Sequence, residues 1–214
     1  MRNIQLKLWG KKFFETYRTE NVPISLILYR EDYCEIYELP NNKIIKLSSN
    51  DEGYTTAMKL CGKKNKNIVD IYQYGCFECT NHTNAEQELI YYIIMEKLNI
   101  DYIPPAIVRN FVDAFRHCWF IQYKNEYKSD YRYLTYEDLK TILSNPNNSE
   151  IEIVKNYMIA YANSEHKEII LSLYEETCNA YKELYEISPK AKIDFNEGNI
   201  GFTRDGVLKY FDLQ

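Results

Sequence analysis

Short apolar runs separated by polar turns fill roughly the first hundred residues, a pattern typical of β-strands. The runs predicted to be strands are residues 24–29, 34–39, 43–47, 68–76 and 89–95. The turn Pro40-Asn41-Asn42 connects the second run to the third, and the polar stretch 80–87 connects the fourth to the fifth. We therefore expect three consecutive antiparallel strands and then a further strand pair.

Apolar residues spaced three or four apart predict helices around and after these strands. The predicted helices are residues 6–17, 51–60, 110–123, 135–144, 151–162 and 165–187. The first is weakened by Gly10, and the second is expected to be capped by Ser49 or Asn50. Residues 63–67, which follow the second helix, are predicted to be a solvated basic loop. The longest helix is expected to bury Ile169, Ile170, Leu173, Cys178, Tyr181 and Leu184. The order of elements predicts an α+β fold, β-β-β-α-β-β followed by helices.

Length and charge limit the classes of partner. A chain of 214 residues can form one domain, or two small lobes around a cleft. The formal net charge of −5 argues against nonspecific binding to nucleic acid, which needs a basic surface. No apolar run approaches the roughly 18 residues of a membrane span, and the start of the chain is too polar for a signal peptide. We expect neither nucleic acid nor a membrane as a partner, and a cytoplasmic location in the producing cell or in a host cell.

Cys76-Phe77-Glu78-Cys79, followed by His82, contains side chains that bind zinc. A closed tetrahedral site needs a second such pair, which the sequence lacks. Structural cysteines within a strand are therefore the favoured interpretation.

Three residues near the end of the chain, Asp194, Asn199 and Asp212, have the side chains that nucleotide chemistry uses. Asp194 and Asn199 are close enough in sequence for one loop to serve a nucleophile and a metal ion together. The apolar segments between Asn199 and Asp212 are expected to form a short hairpin that brings a second carboxylate to the same place. The alternative is that Asp194 and Asn199 are ordinary turn formers and that Asp212 is frayed and solvated.

This arrangement resembles the catalytic loop and metal-binding Asp of protein kinases and of aminoglycoside phosphotransferases. Residues 194–199, Asp-Phe-Asn-Glu-Gly-Asn, are also similar to the loop of small bacterial effector kinases such as the Shigella ubiquitin-binding kinase family, and phage kinases are a further comparison. The resemblance covers about residues 24–214 and implies a two-lobe protein-kinase-like fold. Residues 1–98 would form a five-stranded antiparallel N-lobe with one helix, and residues 99–214 a truncated, mainly helical C-lobe.

The resemblance implies a role for each of the three late residues and for one lysine. Asp194 would be the catalytic base, and Asn199 and Asp212 would be the Mg²⁺ ligands. Lys46, on the third predicted strand, would bind the α- and β-phosphates of ATP. Taken alone, Lys46 could also be a surface lysine on an edge strand.

Two further parts of the nucleotide site are implied by the same resemblance. Glu52, or alternatively Asp51, would form an ion pair with Lys46. Residues 95–98 would be the hinge, in which Met95 lies behind the adenine pocket. The backbone from Glu96 to Leu98 would bond the adenine edge.

The implied function is an ATP- and Mg²⁺-dependent phosphotransferase, with a protein Ser/Thr kinase as the leading expectation and a protein partner to complete the C-lobe. Three departures from the family pattern are visible: residues 29–34 contain no glycine, Lys192-Ile193 stands where kinases have His-Arg, and Leu213 follows the metal-binding Asp. They leave open a pseudokinase that acts as a protein-binding scaffold. A small-molecule kinase, whose substrate pocket is shaped by residues 101–164, is the other alternative.

Overall fold

A computed structural model of the chain describes residues 6–17, 23–30, 33–51, 53–80, 87–123, 133–134 and 166–213. The fold is mixed α+β, with a five-stranded antiparallel sheet and four helices among these residues. The chain divides into two compact units. The first comprises Met1–Lys64 and Asp70–Lys97, and the second comprises Asn65–Val69 and Leu98–Gln214.

The first unit contains the large sheet and two helices. Its strands are β1 (Ser25–Arg30), β2 (Cys34–Leu39), β3 (Lys43–Ser48), β4 (Ile71–Thr80) and β5 (Gln87–Glu96). Its helices are α1 (Leu8–Tyr17) and α2 (Tyr54–Leu60). The strand order is β1-β2-β3-β5-β4, and every neighbouring pair is antiparallel. All five predicted strands are confirmed, although β4 begins at Ile71 and not at Ile68.

Helix α1 covers one face of this sheet. Alternate side chains of each strand point to that face, where they can pack against the helix. Trp9 and Phe13 of the helix are buried there. They pack into a core with Tyr37, Leu39, Ile45, Leu47, Phe77, Cys79, Ile90, Tyr92 and Ile94. Helix α2 packs on the opposite face, where the Tyr54 ring contacts those of Tyr74 and Tyr91.

The start of α1 is bonded to a buried carboxylate of the sheet. Glu35, on β2, accepts hydrogen bonds from the backbone N–H groups of Trp9 at 3.0 Å and Gly10 at 2.7 Å. It also accepts one from the Tyr37 hydroxyl at 2.8 Å. A Cβ at Gly10 would lie 2.5 Å from the Tyr37 ring. The glycine that weakens the helix in sequence terms is therefore the residue that lets the helix approach the sheet.

The prediction for the start of α2 is wrong. The helix begins at Tyr54 and not at Asp51, because Gly53 adopts a left-handed conformation with φ of 78° and interrupts it. Gly53 occupies the capping position without a side-chain bond, so neither Ser49 nor Asn50 is the cap.

The second unit contains the two longer helices and two small sheets. The helices are α3 (Pro105–Tyr123) and α4 (Lys167–Ile187). Strands β6 (Tyr133–Leu134) and β7 (Ile193–Asp194) form one antiparallel pair, and β8 (Ile200–Phe202) and β9 (Leu208–Tyr210) form the other. A single turn of 3-10 helix, Glu197–Asn199, precedes β8. The predicted helices at 135–144 and 151–162 lie outside the described residues.

The predicted boundaries of α4 are confirmed within two residues, but its buried face is only partly as expected. Ile170, Leu173, Tyr181 and Leu184 are buried as predicted. Ile169 is 36% exposed and Cys178 is half-buried, whereas Tyr174, Thr177 and Ala180 are buried instead. The buried face of α4 is therefore rotated slightly around the helix axis from the predicted face. It includes Thr177, which a pattern of apolar residues does not count.

The predicted solvated basic loop, residues 63–67, is confirmed at its three lysines, which are exposed, but its last residue, Asn67, is buried. The segment Asn65–Val69 belongs to the second unit although it lies between α2 and β4 in sequence, and its residues Asn67, Ile68 and Val69 are fully buried. It runs parallel to β9, with Ile68 opposite Tyr210. We call it the strap.

None of the described helices is both long enough and apolar enough to cross a membrane.

Candidate functional site

The loop after β7 presents Asp194 and Asn199 in direct contact. The Asn196 side chain accepts a hydrogen bond from the Gly198 N–H at 2.9 Å and so begins the 3-10 turn that ends at Asn199. The turn brings Asn199 Nδ2 to 2.9 Å from Asp194 Oδ2 and 3.1 Å from the Asp194 carbonyl oxygen. Both side chains are half-buried.

Backbone contacts bring Asp212 to the same loop. The Phe211 N–H donates to the Asn199 carbonyl at 3.2 Å, and Leu213 forms an antiparallel bridge with Ile193. Leu213 is buried and Asp212 is half-buried, so this part of the chain is packed. The alternative of a frayed and solvated Asp212 is wrong. The hairpin predicted between Asn199 and Asp212 is present as β8 and β9.

The orientation of the Asn199 amide determines what this loop can bind. Because its NH₂ group donates to Asp194, its oxygen lies at the opposite edge of the planar amide and faces away from Asp194. Amide and carboxylate oxygens are hard ligands, which Mg²⁺ prefers. Asn199 and Asp212 therefore have the types of oxygen atom that would be needed to hold a magnesium ion. No group of three or more His, Cys, Asp or Glu side chains in the described part of the chain is placed to hold a metal ion by itself.

An exposed ion pair connects the same loop to α3. Arg109 Nε on α3 lies 3.5 Å from Glu197 Oε1 in the 3-10 turn. At this exposure such a pair contributes at most about 1 kcal/mol of stability.

Lys46 lies on β3, the middle strand of the large sheet. Its register partners are Ile36 on β2 and Ile93 on β5, so it stands in a cross-strand row with apolar side chains. Its neighbours Ile45 and Leu47 point to the opposite face and are fully buried, while Lys46 itself is half-buried. The alternative of an edge-strand surface lysine is therefore wrong. Lysine is uncommon in such surroundings unless it has a charged partner or a ligand.

Two carboxylates were expected as alternative partners of Lys46, and only one of them belongs to the described residues. Glu52 lies outside the described residues. Asp51 is exposed and precedes the helix, where its carbonyl accepts a hydrogen bond from the Tyr54 N–H. Helix α2 itself, with the sequence YTTAMKL, contains no carboxylate.

Residues 95–97 of the predicted hinge belong to the first unit and are held there by burial and hydrogen bonds. Met95 is 3% exposed, and the Glu96 N–H donates to the Asp70 carbonyl at 3.0 Å. The Lys97 N–H and carbonyl both bond to Asn42, at 2.9 and 3.0 Å. Lys97 Nζ lies 2.7 Å from Glu38 Oε1, and this bond lowers the pKa of Glu38.

Leu98, the last predicted hinge residue, begins the second stretch of the other unit. Its side chain packs against Gly201 on β8, where a Cβ would lie 2.5 Å from the Leu98 Cβ. Among the described residues, no hydrogen bond engages the Leu98 N–H.

The cysteine pair does not form a joint site. Cys76 and Cys79 lie on β4 with odd spacing, so their side chains point to opposite faces. Cys76 is exposed and Cys79 is buried, and both are free thiols. Burial raises the pKa of the Cys79 thiol. The interpretation as strand cysteines is confirmed, while His82 lies outside the described residues.

Sequence reasoning missed a group of residues that hold β9 from its outer side. They are Asn67 of the strap and Glu176, Thr177 and Glu183 of α4. Glu176 and Glu183 are two helical turns apart and share a side of α4. In the sequence, only this seven-residue spacing distinguishes Glu176 and Glu183 from the other glutamates of α4. Glu175 and Glu186 have the same side chain, but both are exposed.

Comparison with protein-family models and with curated protein sequences gives no match for this chain.

Proposed function

We propose that the protein is an ATP- and Mg²⁺-dependent phosphotransferase of the protein-kinase-like class, with a protein Ser or Thr hydroxyl as acceptor. Asp194, Asn199 and Asp212 serve the metal and the acceptor, and Lys46 with the hinge residues serves the nucleotide. A cytoplasmic location and a protein partner belong to the same proposal.

The contact between Asn199 and Asp194 is the observation that carries it. An asparagine that only formed a turn would bond to nearby backbone, as Asn196 does. Asn199 also donates to a nearby backbone group, the Asp194 carbonyl, but its NH₂ group donates to the Asp194 carboxylate as well, which leaves its oxygen for a cation and fixes the orientation of Asp194. The backbone contacts of Phe211 and Leu213 bring Asp212 to the same loop, which supports its assignment as a second oxygen ligand for Mg²⁺.

Each residue has a defined chemical task in the proposed reaction. The Asp194 carboxylate would orient the acceptor hydroxyl and take its proton as the hydroxyl oxygen bonds to the γ-phosphorus and the bond from that phosphorus to the β,γ-bridging oxygen breaks, which releases ADP. The Lys46 ammonium neutralises charge on the α- and β-phosphates. Asn199 and Asp212 would hold Mg²⁺, which would supply positive charge that offsets the charge of the transferred phosphate.

The first test is calorimetric titration of the full chain with ATP, with and without Mg²⁺. We expect Mg²⁺ to increase the affinity, and we expect Asp212→Asn to remove that increase. Asp205→Asn is the matched control, because Asp205 is an exposed aspartate in the turn of the same hairpin. Equal loss in both variants, or no ATP binding at millimolar concentration, would contradict the proposal.

The second test separates chemistry from binding. Asp194→Asn should keep Mg²⁺-dependent ATP binding, whereas phosphate transfer from radiolabelled ATP to a generic Ser/Thr substrate protein should fall by roughly 100-fold or more. If the variant transferred phosphate at the wild-type rate, Asp194 would not be the catalytic base.

A non-catalytic protein-binding scaffold is the second candidate, and one observation favours it. No glycine lies between β1 and β2 to allow close approach of the backbone to phosphates. A scaffold would show no Mg²⁺-dependent ATP binding and no transfer, with the wild-type fold intact.

A further inference from the structure

Strand β9 ends two residues before Asp212, and its outer edge is bonded by groups that the proposed chemistry does not use. Glu176 Oε2, on α4, accepts a hydrogen bond from the Leu208 N–H at 2.7 Å. Asn67 Nδ2, in the strap, donates to the Leu208 carbonyl at 2.9 Å. Both backbone groups of Leu208 that face away from β8 are therefore paired.

The strap continues this pairing at the next outward-facing residue. The Tyr210 N–H donates to the Asn67 carbonyl, and the Val69 N–H donates to the Tyr210 carbonyl, each at 3.0 Å. The Tyr210 hydroxyl lies 2.9 Å from Thr177 Oγ1, which itself donates to the Leu173 carbonyl. β9 thus lies between β8 and the strap, and every outward backbone group has a partner.

A second carboxylate of α4 holds the strap in place. The Glu183 carboxylate accepts hydrogen bonds from the backbone N–H groups of Lys66 at 3.1 Å and Asn67 at 2.9 Å. Glu176 therefore acts on β9 directly, and Glu183 acts on it through Asn67. The two carboxylates fix the position from which Phe211 and Asp212 leave the strand.

We infer that Glu176 and Glu183 are positioning residues for Asp212 and set how well the site holds Mg²⁺ with the nucleotide. The inference rests on the proposed function, because it concerns the same metal ligand. Neither glutamate touches the metal or the substrate. Residues that orient metal ligands in this indirect way typically change metal affinity by about 10–100-fold when they are removed.

The test compares Glu176→Ala and Glu176→Gln in the full chain, with Glu175→Ala as control. We expect Glu176→Ala to reduce the Mg²⁺-dependent gain in ATP affinity by about tenfold while ATP affinity without Mg²⁺ stays unchanged. Glu176→Gln should restore the gain, because its amide oxygen can still accept from the Leu208 N–H. Glu175 is exposed on the same helix, and its removal should change neither affinity.

Each outcome has a defined meaning. A wild type without any Mg²⁺-dependent gain would overturn the proposed function and this inference together. A wild type with the gain, and a Glu176→Ala variant that keeps it or that loses affinity equally with and without Mg²⁺, would overturn the inference alone. If Glu176→Ala does not fold, Glu183→Gln is tested in its place. This variant should lose part of the Mg²⁺-dependent gain in ATP affinity, because one amide oxygen cannot fully replace the two carboxylate oxygens. An unchanged gain would contradict the inference.

Discussion

The Glu176 carboxylate is half-buried under β9, and burial raises its pKa above the ordinary value of 4.5. The hydrogen bond from Leu208 and the charge of Lys66 act in the opposite direction but do not cancel the effect. A carboxyl group with a raised pKa in the folded state penalises folding once it is ionised. The penalty is fully present above the folded-state pKa and disappears as the pH falls below 4.5.

The raised pKa of Glu176 leads to a prediction for the pH dependence of stability in Glu176→Gln, a variant that keeps the hydrogen-bond acceptor for the Leu208 N–H but has no charge. We expect the variant to be more stable than the wild type at pH 7, and we expect the difference to shrink as the pH falls through 4.5. Urea unfolding at several pH values measures it. A stability difference that grows towards low pH would show that the carboxylate is stabilised, and not penalised, by its surroundings.

Gly75 on β4 leaves room for the ring of its cross-strand partner Tyr92. A Cβ at Gly75 would lie 2.5 Å from the Tyr92 ring, which is packed against Phe13. We expect Gly75→Ala to reduce the free energy of unfolding by about 1–3 kcal/mol, because the buried ring cannot move aside without disturbing its neighbours. In the matched variant Gly198→Ala the nearest atom is 3.5 Å away, so chemical denaturation should detect little change.

The residue types of the candidate site were visible in the sequence, but their surroundings were not. Asp194, Asn199 and Asp212 could be selected because their spacing is local, and the turn and hairpin that join them are encoded within twenty residues. The central position of Lys46 depends on β5 pairing with β3, which no local pattern specifies. Asn67 looked solvated because its burial depends on partners more than one hundred residues later.

At the scale of elements, α1 depends on contacts from outside the helix. It begins without an acidic residue in its first turn, and Glu35 of β2 supplies the missing acceptor for two N–H groups. We expect Glu35→Ala to cost about 1–3 kcal/mol of stability, because those buried donors lose their partner. Glu15→Ala is the control, since Glu15 is exposed on the same helix. Thermal unfolding and hydrogen exchange of the α1 amides would measure the effect; equal effects of the two substitutions would contradict it.

The strands were predictable because the sheet has one fully buried face, which imposes alternation on β2, β3 and β5. The start of α2 was not predictable, because the residue pattern typical of a helix extends upstream of Gly53. Only the left-handed backbone conformation of Gly53 prevents the helix from starting earlier. Helix α3 begins at Pro105, five residues before the predicted start at residue 110, although Ile107 and Val108 are buried and belong to its apolar pattern. The boundary of α2 was missed for another reason, because a single backbone dihedral at Gly53, and not a side-chain pattern, decides it.

At the scale of the whole molecule, the chain enters the second unit twice. It contributes the strap between Lys64 and Asp70 and then the continuous stretch from Leu98 onward. The strap supplies the outer neighbour of β9, so the hairpin that carries Asp212 is completed by residues from the first half of the sequence. Folding of the second unit therefore requires contacts of long sequence separation, which form slowly.

This arrangement predicts how a substitution in the strap spreads through the molecule. Asn67→Ala removes the bond to the Leu208 carbonyl within a fully buried site, at a cost of about 1–3 kcal/mol. Although Asn67 precedes β4 in sequence, faster hydrogen exchange is expected at β9 and at the start of the strap, while β3 and β5 should keep their protection. Lys64→Ala, at an exposed position just before the strap, should leave both regions unchanged. If β3 and β5 lost protection as much as β9 did, the strap would stabilise the first unit, and the division of the chain at Lys64 and Asp70 would be wrong.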